Sequence, residues 1–470
     1  MYTWNDFEDD RKNGNTASAL DYLLQMHQAD KMFRIAKDAD TYDRQMNSTI
    51  SKFVKKVRNF EGYEEEDTTS ANNKLCSNFF RSLNLERNMY SLGNGIQFNE
   101  EGVKEKLGKK FDTRLKQAGY YALIHGISFL FWNVDHVHVF KLTEFAPLWD
   151  EETGMLRAGV RYWQIDTTKP VYAVLYEEDG YTKFRKSDST NGGTGAFEVV
   201  EDKKAYRVKY RMADVDSEPE IIGEENYSSL PIIPVYATEL KQSTLVGMKG
   251  NIDAYDLVNS GYANDMQDCS QIYWILNNAG GMDSQDLQDF MNRLKNNHIA
   301  SMIDDEVTAQ PYTQEIPYQS RKEFKEEIRN QIYEDFGGLD VHTISAGATN
   351  DHIEAGYQPM DNVADDYEYQ IIEAVEQLTT LVLGEAYTPL FKRNKVSNQK
   401  EQTEMIIECA SYLDSETVLN HLPFLSSDEI GNILERKEAE EYEQFKDDSD
   451  TDLDDSIDDS DENGLDIITE

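Results

Sequence analysis

The stretch ALIHGISFLFWN, residues 122–133, carries the decision about the fold. It closes an amphipathic run, Lys109–His125, in which Phe111, Leu115, Ala118 and Ala122 recur three or four residues apart, the spacing of one helical face. Gly126 stands where such a helix stops, and the ISFLFW that follows is apolar and β-prone. Three readings compete. The junction is the nucleotide turn of an enzyme, one side of a metal-binding hairpin, or a structural joint between a helix and a strand pair spanning Ile127–Phe140.

The text on either side is mixed. Residues 17–60 carry helical spacing in Leu20, Leu23 and Leu24, then Met32, Phe33 and Ile35. A helix is expected from Asn72, with Leu75, Phe79, Leu83 and Leu85 on one face, ending at Gly93-Asn94-Gly95. Between 157 and 236, short β-prone runs (Arg157–Gln164, Val171–Tyr176, Tyr181–Phe184, Ala205–Met212) alternate with turns, the pattern of an antiparallel β domain. It ends in the Pro-bounded LPIIPVY, residues 230–236.

A long helix is expected over about 244–268, with Ile252, Tyr255, Val258, Tyr262, Met266 and Cys269 as its apolar stripe and acids and Asn opposite. Residues 270–317 are mixed: IYWIL reads as a strand, Gly280-Gly281 as a turn, Ser284–Lys295 as a short helix and Ile299–Ile303 as a second strand. A charged helix over about 320–336 repeats Phe324, Ile328, Ile332 and Phe336 at spacing four. GGLDVHTISAGATNDHIEAG, residues 337–356, breaks the pattern with four glycines, and a third long helix is expected from Pro359 to Leu383. Residues 400–442 read as helical, and no repeat of 20–50 residues is present.

Composition narrows the function. Hydrophobic residues make up 39% and charged ones 29% of 470, with a mean hydropathy of -0.68. The acidic N-terminus does not read as a secretory leader, and no apolar run approaches the roughly 20 residues of a membrane helix, so no membrane partner is expected. Cys76, Cys269 and Cys409 lie far apart, as buried thiols of a reducing compartment do. The formal charge of -43 argues against tight binding of nucleic acid, because that affinity comes mostly from cations neutralising phosphates. DNA that slides past without sticking is compatible with it. Residues 447–470 hold twelve acids and no base, a self-repelling tail expected to be disordered.

Motifs for catalysis are weak. Gly93 and Gly95 lack a third glycine at dinucleotide spacing and follow a helix, so a turn is the better reading. His136 and His138 share one face of an expected strand but suggest no third zinc ligand. DSDENGLDIITE, residues 459–470, fits the calcium-loop pattern through Asp459, Asp461, Asn463 and Glu470. Asp-rich text matches such a pattern cheaply, however, and Asp466 stands where an apolar residue is usual. No paired carboxylates stand out, and no cofactor is expected.

Four stretches taken in order resemble one family. They are LCSNFFRSLNLERNMYSLGNGIQF; the opening stretch through PLWD and GMLRAGVRYW; LPIIPVY followed by NIDAYDLVNSGYANDMQDCSQIYWIL; and SYLDSETVLNHLPFLSSDEIGNILERKEAEE. Together they are similar to the portal proteins of tailed bacteriophages, in the siphovirus-type group of Gram-positive hosts. The resemblance makes ALIHGISFLFWN a structural joint.

It also implies an α+β, mostly helical portal fold. Residues 1–243 would be the wing, including its β-rich part 157–236. Residues 244–269 and 318–336 would be stem helices, with Arg321, Lys322, Lys325 and Arg329 expected to pair with Glu323, Glu326 and Glu327. Between them 270–317 would be the clip, marked by Tyr273, Trp274, Gly280 and Gly281. Residues 337–358 would be a tunnel loop with Gly337, Gly338, His342, Gly347, Asn350 and Gly356. Residues 359–399 would hold a wing-crossing helix and the segment after it, and 400–446 the crown.

The partners implied are copies of itself in a dodecameric ring, the terminase large subunit, a head–tail adaptor, the major capsid and scaffolding proteins, and double-stranded DNA in transit. The place implied is the virion's portal vertex, after assembly in the host cytoplasm. The alternatives are a head–tail adaptor or minor head protein, and a metal-dependent enzyme using DHVHV.

Overall fold

The computed structural model describes residues 2–58, 62–68, 70–100, 102–186, 195–211, 220–269, 273–277, 308–312, 318–340 and 350–395, with isolated positions at 285 and between 403 and 436. One compact unit comprises Met1–Asp340 with Gln358–Asn394. A second takes in residues 341–357 and those from 395 onward; its described part includes residues 350–357 and a short helical piece at 406–409.

The first unit begins with helices α1 (Trp4–Asn13), α2 (Thr16–Ala29), α3 (Lys31–Asp43) and α4 (Ser48–Ser51). Asn15 starts α2 with a reciprocal cap, its side chain taking the Ser18 amide while the Ser18 hydroxyl accepts from the Asn15 amide. A small hairpin, β1 (Lys56–Arg58) and β2 (Glu64–Glu66), precedes α5 (Phe79–Leu92), β3 (Ile96–Gln97), α6 (Val103–Lys106) and α7 (Phe111–His125). Strands β4 (Ile127–Asn133) to β13 (Ile232–Tyr236) follow, through β5 (His136–Lys141), β6 (Phe145–Trp149), β7 (Leu156–Trp163), β8 (Val171–Glu177), β9 (Gly180–Lys186), β10 (Phe197–Lys204), β11 (Arg207–Arg211) and β12 (Glu220–Glu225).

The opening stretch is the joint expected. Gly126 ends α7 in the left-handed region at φ 86, its amide donating to Ala122 O at 2.8 Å. A Cβ there would lie 2.7 Å from the Gln242 backbone, so both the conformation and the space require glycine. Six of the seven residues of β4 are buried, without alternation, because the strand is central in the order β13-β4-β5. Pro234 is tolerated in β13 because that strand is an edge.

The β-rich part is not self-contained. β6 joins β7 to β10 in a five-stranded meander whose inner face packs on α1 and α2, whereas β13 returns to pair with β4. Alternation along a strand reveals its faces and not its partners, which is why the sequence placed a boundary inside one compact unit.

Two further corrections concern helices. Residues 72–78 belong to no helix or strand, and the helix expected from Asn72 begins at Phe79. The third long helix spans Asn350–Leu383 and contains Pro359, which the sequence reading took for its start. The central core joins Leu115, Ala118 and Ala122 of α7 to Leu130 and Val235 of the three-stranded sheet and to Tyr367, Ile371 and Val375 of that helix. After it, β16 (Leu390–Phe391) pairs with β3, and Arg393 grips Asp361 at 2.9 Å and Glu368 at 2.8 Å.

Candidate functional site

Two long helices give this chain its distinctive feature: α8 (Leu245–Cys269) and the helix Tyr318–Phe336. They join near the sheets through Leu245, Met248 and Ile252 against Ile328, Ile332 and Phe336. Further along, the contact changes to polar and aromatic groups. Arg321 meets Asp265, Lys325 donates to Asn259 at 3.2 Å, and the Tyr262 and Tyr318 rings lie 6.2 Å apart. Of the expected apolar stripe of α8, Ile252 is the buried member among those whose side chains are described, Ile252, Tyr255, Val258, Tyr262 and Met266; Met266 is 53% exposed.

The face of α8 that the chain itself covers is polar beyond that point. Asp256, Ser260 and Asn264, each four residues apart, are all buried. They take the backbone amides of Ser77 at 2.8 Å, Leu75 at 2.9 Å and Asn73 at 2.6 Å. Alternate residues of an extended chain advance roughly 6.6 Å and one i,i+4 step of a helix roughly 6 Å, so the two periods match over three contacts. This strap explains why residues 72–78 are not helical despite helical spacing. The signal was present in the sequence, since three hydrogen-bonding side chains at spacing four on one helix are a docking ladder.

A second lock lies higher on α8. The Lys249 ammonium donates to Asp38 at 2.8 Å, Tyr42 at 2.9 Å and Ser48 at 3.1 Å, while Thr49 donates to Asp253 at 2.7 Å. Burial opposes the charge on Lys249, but Asp38 and Tyr42 outweigh it and hold the ammonium above its usual value. Helices α3 and α4 are thereby keyed to α8.

The far end of the Tyr318–Phe336 helix is also fixed. Gly337 sits at φ 67 and donates to Glu334 O at 3.1 Å, and Gly338 donates to Tyr333 O at 2.9 Å, a Schellman closure. The buried Arg87 donates to Phe336 O with its guanidinium 3.8 Å from the Phe336 ring, and burial lowers it to about 10. Arg329 grips Asp340 through two bonds of 2.7 and 2.9 Å. Gly337 and Gly338 are thus a packed helix terminus, not free loop. Gly337→Ala should lower stability by about 1–2 kcal/mol, because its Cβ would sit in left-handed backbone and 2.8 Å from Val363; thermal unfolding of the pair measures it.

The remaining expected residues sort as follows. Asn350 and Gly356 lie in helix instead of loop, because Pro359 is accommodated inside the helix. Of the four basic residues only Lys322 pairs within its helix, with Glu326 at 3.9 Å; the others reach α8 or Asp340, since those carboxylates and amides stand closer to the buried face. Tyr273 and Trp274 belong to β14 (Tyr273–Asn277), which pairs with β15 (Thr308–Tyr312). Gly280, Gly281, His342, Gly347, Asp459, Asp461, Asn463 and Glu470 lie outside the described residues, as do 299–303, most of 284–295 and most of 400–446. His136 and His138 face each other, Nε2 to Nε2 at 2.9 Å, with Asp135 on His136 Nδ1 at 2.6 Å. Among the described residues no group of three or more His, Cys, Asp or Glu is placed to hold a metal ion, and no helix is long and apolar enough to cross a membrane.

The family profile described as "Phage portal protein, SPP1 Gp6-like" matches residues 23–450. The chain belongs to this phage portal protein family, and its role is that of a capsid portal. It is 23% identical over 395 residues to the portal protein of Clostridium phage phiCD119, covering 77% of this chain and 84% of that one. Among solved structures it is similar, at 10% identity and TM-scores of 0.44 and 0.42, to chains in the virion of a native gene transfer agent particle and in the neck of that particle computed with C12 symmetry. Each covers 74% of this chain and 90% of the other.

Proposed function

We propose that the chain assembles as a ring of about twelve copies at one vertex of the capsid, with α8 and the helix Tyr318–Phe336 as its stem. The observation that carries this reading is the uncovered apolar surface of those helices. Leu257 is 50%, Met266 53%, Phe324 48% and Tyr318 54% exposed, on helices whose other faces are held by the strap and by each other. A repeated copy related by rotation would cover them.

Double-stranded DNA would pass through the channel in both packaging and ejection. The charge of -43 suits a conduit, since an acidic wall repels phosphate and avoids trapping the duplex. Residues 270–317 would be the clip that docks the terminase large subunit and later the head–tail adaptor. Residues 341–349, bounded by the fixed terminus at Gly337-Gly338 and by the helix from Asn350, would form the tunnel loop. The crown, 400–446, would face the capsid interior, where scaffolding and major capsid proteins meet it. Assembly would take place in the host cytoplasm.

Charge reversals across 270–317 should weaken binding of the motor ATPase by about tenfold while leaving ring mass unchanged. Binding that is unchanged for every such variant would remove the clip assignment.

A further inference from the structure

The chain carries a second assembly element outside the stem. β11 and β12 form a two-stranded antiparallel hairpin of their own, and among the described residues neither strand has a further neighbour. A two-stranded ribbon alone is marginal in water. This one is also amphipathic. Tyr210 lies directly opposite Ile221, and the two are 58% and 56% exposed, with Ile222 at the register shift 59% exposed. Alternation places Val208 on the face of Tyr210 and puts Arg207, Lys209 and Arg211 on the other.

Its charges are segregated by strand. RVKYR has three bases and no acid, and EIIGEE has three acids and no base. The hairpin therefore offers one basic open edge and one acidic open edge. In a rotational ring each copy keeps the same up-or-down sense, so the β12 of one copy would meet the β11 of the next in antiparallel order, as within the hairpin itself.

We propose that β11–β12 is a ring-forming arm. Its acidic edge pairs with the basic edge of the neighbouring copy, giving a continuous belt in which Tyr210 and Ile221 of successive hairpins pack side by side. This rests on the ring reading above. The partner is a second copy because the charge pattern is self-complementary head to tail, the arrangement that closes rings.

Two variants test it. In one, Arg207→Glu, Lys209→Glu and Arg211→Glu make both strands acidic; in the other, Glu220→Lys, Glu224→Lys and Glu225→Lys make both strands basic. Either alone sets like charges edge to edge, and ring formation should require about tenfold more protein. Mixed one to one, acidic and basic hairpins alternate and rings should return to the native concentration range.

The reversals also set like charges across the hairpin itself, where Arg207 lies opposite Glu225 and Lys209 pairs with it, so amide exchange in β11 and β12 is followed in each variant. With that exchange as slow as in the native chain, failure of the mixture to recover overturns the belt, as does normal assembly of either variant alone. A native chain that forms no ring at any concentration, with capsid and scaffolding proteins supplied, overturns the ring reading itself and the belt with it.

Discussion

Gly119→Leu should unfold or severely destabilise the compact unit of Met1–Asp340 with Gln358–Asn394, by about 4 kcal/mol. Gly119 lies inside α7 where the helix Asn350–Leu383 crosses it. A Cβ there would fall 1.9 Å from the Tyr367 hydroxyl, 3.0 Å from Leu92 and 3.1 Å from the Asn88 side-chain oxygen. Tyr367 is fully buried and donates to that oxygen at 2.7 Å, while the Asn88 amide donates to Lys116 O at 3.1 Å. Any side chain at 119 displaces the phenol, and the displaced hydroxyl leaves Asn88 without its donor in a place water does not reach. Tyr367→Phe, which removes the bond and leaves the space, should lose only about 1 kcal/mol. Urea unfolding of the three proteins separates the effects. Equal stability of Gly119→Leu and the native chain would show that the helices do not cross there.

Asp256→Ala should cost about 2–4 kcal/mol and release the strap at residues 72–78. It strips the acceptor from the Ser77 amide and from the Asn47 side chain, both held at this carboxylate. Hydrogen exchange should rise at the amides of Asn73, Leu75 and Ser77 together, since the three contacts form one ladder. Exchange confined to Ser77 would mean that the contacts act singly.

The same residue has a pH signature. Burial outweighs the hydrogen bonds from Asn47 and Ser77 and holds the carboxyl above its usual 3.8. A carboxyl raised in the folded state binds its proton more tightly there than in the unfolded chain. Its contribution to stability is therefore fully present below the unfolded value and is lost as pH rises through the folded one. The melting temperature of the native chain relative to Asp256→Asn should climb as pH falls from about 7 to about 4. A flat difference would place the carboxylate in contact with water.

Local features were legible where one residue type had one physical meaning. Gly126 as the end of α7, the EEDG turn between β8 and β9 and the spacing-four face of Ile328, Ile332 and Phe336 all follow from chain chemistry within a few residues. The resemblance carried the family because four loose motifs kept their order along the chain.

What escaped depends on contacts between distant residues. Pro234 pairs β13 with a strand about a hundred residues earlier, and nothing near it names that partner. Leu75 and Phe79 have helical spacing, but the amides of 73, 75 and 77 are claimed by a helix some 180 residues later, and that competition decides the backbone. Pro359 marked a boundary by its usual effect on a helix, yet the helix continues through it. The basic residues of the Tyr318–Phe336 helix were expected to pair along their own helix. Carboxylates and amides on α8 lie nearer the buried side, and Arg321 and Lys325 take those instead.

The mass of the purified chain in solution, by light scattering with negative-stain images of the same sample, tests the ring most directly. Particles of about twelve times the 54.1 kDa subunit with a central hole are expected. A species that stays at one subunit mass at every concentration, with capsid and scaffolding proteins supplied, would contradict a ring built on the exposed faces of the two long helices.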